Sequence, residues 1–81
     1  MKYIDPNNQR YRFYVRECLN GFAIQVLNVE VSENIPLSPS VATQLEIELP
    51  ENYRLQSCTS EAAEKELKRL AQLNKWVEVN Q

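Results

Sequence analysis

Histidine is absent from these 81 residues, and glycine occurs once, at Gly21. Without histidine the chain lacks the commonest general base, the usual partner of a nucleophilic serine or cysteine, and the commonest metal ligand. A single glycine excludes a glycine-rich phosphate loop of either common kind, because those need several glycines at fixed spacing. Cysteine is scarce too. Cys18 and Cys58 lie 40 positions apart, a spacing that suits neither a zinc knuckle nor a redox pair. Free cysteine tends to be buried, so both are expected as plain core or edge thiols, kept reduced in a cytosol. No apolar run is long enough to cross a bilayer, and the opening MKYIDPNNQR lacks the apolar core of a secretory signal. The expected location is cytoplasmic, with no membrane contact, and neither a cofactor nor a metal is expected.

The remaining composition is that of an ordinary folding domain. Hydrophobic residues make up 43% and charged residues 25%, a balance that separates the chain from disordered sequences. The length suits one domain, residues 1–81. Folding at this size buries only roughly 60% of the surface of the unfolded chain, so stability is expected to be modest. The formal net charge of −2 is unevenly spread. Residues 1–27 hold Lys2, Arg10, Arg12 and Arg16 against Asp5 and Glu17, whereas the rest of the chain is predominantly acidic. One basic element on an acidic molecule is a candidate contact surface.

Asn20-Gly21 is the clearest local signal. It separates two β-rich runs, and both residues tolerate the positive φ of a type I′ hairpin turn. With those two residues as the turn, Leu19 faces Phe22. One face of the hairpin then holds Tyr11, Phe13, Val15, Glu17 and Leu19 opposite Glu30, Asn28, Val26, Ile24 and Phe22, and is expected to be core. The other holds Arg10, Arg12, Tyr14, Arg16 and Cys18 opposite Val31, Val29, Leu27, Gln25 and Ala23. Residues 32–43, with two prolines, are expected to form a loop. Ser38-Pro39 can also start a short helix, but Leu45, Ile47 and Leu49 alternate with Gln44, Glu46 and Glu48, which favours a strand there. Pro50-Glu51-Asn52 suits a turn, and residues 53–58 another short strand.

Thr59-Ser60 opens the one long helix. Either hydroxyl can cap it, Glu61 and Glu64 suit the positive end of its dipole, and Ala63, Leu67, Leu70 and Ala71 form an apolar stripe. Asn74 is a candidate left-handed stop, and Trp76 is expected in the core before a last alternating strand. The expected fold is α+β: a small antiparallel or mixed β-sheet with one long helix, about residues 60–74, packed on one face. Its strands are a hairpin over residues 10–31 and segments near 44–49, 53–58 and 76–79.

Arg10, Arg12, Tyr14 and Arg16 are the candidate partner-binding residues. Strand alternation puts all four on one face. Arginine forks grip carboxylates of a protein partner bidentately. The same residues can hold phosphates and stack a base, or simply lie over Leu27, Val29 and Val31 by their methylene stems and pair with local acids. Carboxylate sets such as Glu46 with Glu48, or Glu61, Glu64 and Glu66, are better explained as solvated faces than as acid–base pairs. The expected function is therefore non-enzymatic: a small interaction module, whether adaptor, assembly factor, regulatory subunit or inhibitor, that binds another protein through a sheet face. Single-stranded nucleic-acid binding through the same face is the alternative, disfavoured by the acidic total charge. Self-association through an open strand edge is a further expectation to test.

Overall fold

The computed structural model describes residues 1–79. Five strands form one antiparallel sheet: β1 (Lys2–Asp5), β2 (Asn8–Cys18), β3 (Gly21–Asn28), β4 (Glu33–Pro36) and β5 (Val77–Val79). Their spatial order is β4-β3-β2-β1-β5. The described residues also form two helices, α1 (Pro39–Gln44) and α2 (Ser60–Asn74). The fold is α+β, and α2 packs against β2 and β3 on one face of the sheet. The core between them holds Phe13, Val26, Leu37, Leu67 and Leu70, each almost fully buried.

The hairpin forms with its turn one position earlier than Asn20-Gly21. Leu19 and Asn20 make the turn, neither at positive φ, so it is not type I′. Cys18 pairs with Gly21 and Glu17 with Phe22. The cause is side-chain pairing: this register sets Phe13 against Val26 and Val15 against Ile24, where the expected one set Phe13 against Asn28. Because every partner moves by two residues, each side chain keeps its face. Leu19 is the exception, 97% exposed at the turn rather than in the core. The second strand also ends at Asn28, so Val29 and Val31 lie in a turn and are exposed.

Two expected strands do not form. Residues 39–44 are helical, with Ser38 as the cap and Pro39 in the first turn. Glu46 then adopts a left-handed φ of 57°. Ile47 N–H bonds to Ala42 O at 2.8 Å and Glu46 N–H to Thr43 O at 3.3 Å, the paired closure of a Schellman motif. That closure breaks any strand over 44–49, and the alternating Leu45, Ile47 and Leu49 instead reach the core from an irregular segment. Residues 53–58 are also irregular. Only Ser57 pairs, through two backbone bonds to Phe22 of 2.8 and 2.9 Å. Conversely, β4 arises within the expected loop, and β1 arises where no strand was expected. The Asp5 carboxylate accepting from Asn7 N–H at 2.9 Å stabilises the turn that follows β1.

α2 matches its expected limits, and Thr59 caps it by accepting from Ala62 N–H at 3.1 Å. Lys75, not Asn74, takes the left-handed stop. Asn74 is instead a clamp. Its side chain accepts from Glu48 N–H at 2.8 Å and donates to Glu48 O at 2.9 Å and Leu70 O at 3.0 Å. Trp76 is buried, as expected, and stacks on Phe13 at 3.8 Å between ring centroids. Cys18 is half-buried and Cys58 exposed, so neither is a core thiol.

Tyr53 ties the irregular segment to the core by donating its hydroxyl to Leu37 O at 2.7 Å. Burial, and then the Glu66 carboxylate, pushes its phenol well above the usual value. The unfolded phenol ionises near pH ~10. The folded state holds its proton to higher pH, so this contribution is complete below pH ~10 and is lost as pH rises beyond it. Urea midpoints measured across that alkaline range should fall steeply for the wild type and less steeply for Tyr53→Phe. Identical slopes would refute the coupling.

Candidate functional site

α2 covers one face of the sheet, and strand register defines the other. One row across that uncovered face runs Asn34, Leu27, Arg12, Ile4, Val77. The next runs Pro36, Gln25, Tyr14, Lys2, Val79. Arg16 lies beyond, opposite Ala23, and Arg10 lies on the other side, where its carbonyl accepts from Val29 N–H at 2.9 Å. All four expected site residues therefore share this face. The structure adds Lys2 and the aliphatics Ile4, Val77 and Val79. They were missed because they come from the two ends of the chain and meet only through the pairing of β1 with β5.

Cations predominate on this face. Lys2, Arg10, Arg12 and Arg16 occupy its positions, whereas the strand acids Glu17, Glu33 and Glu78 pair with Phe22, Asn28 and Tyr3 on the covered side; Asp5, at the end of β1, pairs with Asn8 across a register shift, and Glu30 approaches Arg10 from the turn after β3. Antiparallel neighbours share a face, so the placement of Glu17, Glu33 and Glu78 follows from register alone. Among the described residues, no carboxylate lies within 4.0 Å of Lys2, Arg12 or Arg16.

The four expected residues differ in how free they are. Arg10 sits 3.8 Å from Glu30 in an exposed pair, which water screens heavily. Arg12 is half-buried and donates to Gln9 O at 2.6 Å and Tyr11 O at 3.2 Å, so it braces its own strand. Tyr14 is held from two sides. Asn34 donates to its hydroxyl at 2.6 Å, and the Lys2 ammonium lies 5.4 Å from its ring centroid, within cation–π range. Arg16 is exposed, with no ion pair among the described residues. Arg10 and Arg16 are thus the cations most available to a ligand.

No family model, curated protein or solved structure matches this chain. The geometry alone carries the functional argument. Among the described residues, no group of three or more histidine, cysteine, aspartate or glutamate side chains is placed to hold a metal ion. No described helix is long and apolar enough to cross a membrane.

Proposed function

We propose that this protein is a small non-enzymatic interaction module that binds another protein through its uncovered sheet face. One observation carries the reading: four cations share that face on a chain of net charge −2, and among the described residues three of them, Lys2, Arg12 and Arg16, have no carboxylate within 4.0 Å. Like charges side by side on a strand repel unless acids answer them. Partner carboxylates answer them, and the aliphatics Ile4, Leu27, Val77 and Val79 add apolar contact. The state of Tyr14 argues against base stacking. Lys2 already lies over its ring and Asn34 holds its hydroxyl, so a base would have to displace existing contacts. The finer roles of adaptor, assembly factor, regulatory subunit or inhibitor, and action in the cytoplasm, belong to the same proposal.

Reversing charge at Arg10 and Arg16 together tests it. Both side chains are exposed, so each change should alter stability by less than about 0.5 kcal/mol. Arg12 is a poorer choice because its guanidinium bonds to its own backbone. The expected result is that a protein retained from nuclease-treated host lysate by the wild type is lost by R10E/R16E, with unchanged circular dichroism. Equal retention by both would place the working surface elsewhere. Capture that depended on nucleic acid surviving in the lysate would favour the nucleic-acid alternative.

A further inference from the structure

We infer that the element occupying this face is an amphipathic α-helix of the partner, with carboxylates along one stripe and aliphatic side chains along the next. The inference rests on the function proposed above and specifies the partner's chemistry. Three observations support it.

The first is hydrogen bonding. A segment lying on the face of a sheet meets side chains, because the backbone groups of β1, β2 and β3 are committed to ladders on both sides. An extended segment there would leave its own N–H and C=O groups unpaired, whereas a helix satisfies them internally. This chain covers its other face in the same way, with α2.

The second is spacing. Alternate residues of a strand repeat every ~6.7 Å, and a helix rises ~6 Å over four residues. Carboxylates at every fourth residue of a helix aligned with β2 therefore rise nearly in step with Arg10, Arg12, Tyr14 and Arg16, falling behind by about 2 Å over the four positions while their stripe turns by about 40° per step. Ile4 and Val77 follow Arg12 along its row, and Val79 follows Lys2 along the next. They lie about one and two strand spacings away, roughly 5–10 Å, within the ~10 Å width of a helix. An aliphatic stripe beside the acidic one covers them.

The third is the absence of a suitable element among the described residues of the chain itself. α2 already buries Ala63, Leu67, Leu70 and Ala71 against its own sheet, and α1 is only six residues long. Among the described residues, a second copy has no free amphipathic helix to offer.

The probe is a capped synthetic peptide of about fourteen residues, long enough to span ~20 Å as a helix, with glutamate at every fourth position and leucine three residues after each. The controls are a scrambled peptide of the same composition and a single-stranded oligothymidine. The ordered peptide should bind at least about tenfold more tightly than the scrambled one, weaken as salt rises, and gain helical circular dichroism on binding. R10E/R16E should abolish the salt dependence, and Val77→Ser, at a site already 53% exposed, should weaken binding without unfolding the protein. Equal binding of ordered and scrambled peptides, or indifference to Val77→Ser, overturns the helix. If R10E/R16E still loses the cellular partner in that case, the proposed function stands and only the helix falls. Oligothymidine binding that excludes the ordered peptide overturns both.

Discussion

Phe13→Ala is expected to destabilise the protein by about 3–5 kcal/mol, the range for deleting a fully buried aromatic. Phe13 is 1% exposed, sits opposite Tyr3 and Val26, and stacks on Trp76 at 3.8 Å with the rings 5° from parallel. The substitution removes apolar burial, opens a cavity beside the indole, and forfeits a stacking contact of about 0.5–1.5 kcal/mol beyond area. Small domains hold only about 5–15 kcal/mol in total, so this loss should leave the variant close to its unfolding threshold. Phe13→Leu keeps most of the volume and should cost clearly less. Urea denaturation followed by far-ultraviolet circular dichroism measures both, and does not depend on the fluorescence of Trp76, which the variant itself perturbs. A loss below about 1 kcal/mol would mean that Phe13 does not face α2.

Phe13 also shows what the sequence made legible. Its face follows from alternation, and alternation survives a displacement of two residues. The covered and uncovered faces of the hairpin were therefore sorted correctly while its register was not. α2 was legible in its limits and its buried stripe because those signals are local: a capping threonine, acids in the first two turns and an apolar stripe; its left-handed stop, at Lys75 rather than Asn74, was not. The segment at 44–49 failed for the opposite reason. Its alternation was real, but Glu46 occupies the left-handed position that glycine or asparagine usually announces, so nothing in composition marked the helix end.

The uncovered face was legible only along one strand. Arg10, Arg12, Tyr14 and Arg16 share it by local periodicity. Lys2, Ile4, Val77 and Val79 join it only because β5 pairs with β1, a contact between residues 2–4 and 77–79. No pattern within either short strand specifies that partner. The cationic excess of the face was likewise hidden, since it depends on Glu33 and Glu78 falling on the covered parity.

Gly21 separates turn chemistry from close approach most sharply. In a type I′ turn, Asn20 and Gly21 would both be needed for positive φ, and both substitutions would be costly. In the structure Asn20 lacks positive φ and is exposed, so Asn20→Ala should change stability by less than about 0.5 kcal/mol. Gly21 has φ 146°, a conformation that side chains rarely adopt, and a Cβ built there lies 2.3 Å from the Ser57 carbonyl oxygen. That oxygen cannot simply move aside, because it accepts from Phe22 N–H at 2.9 Å, while Ser57 N–H returns a bond to Phe22 O at 2.8 Å. Gly21→Val therefore imposes backbone strain of about 1–3 kcal/mol and threatens two hydrogen bonds of about 0.5–1.5 kcal/mol each, an expected total of about 2–6 kcal/mol. The damage should be local first. Hydrogen exchange at Phe22 and Ser57 should accelerate in the variant under conditions where the amides of α2 remain protected. Comparable losses at Asn20 and Gly21 would restore the type I′ turn. A tolerant Gly21 would mean that residues 57–58 do not close against β3.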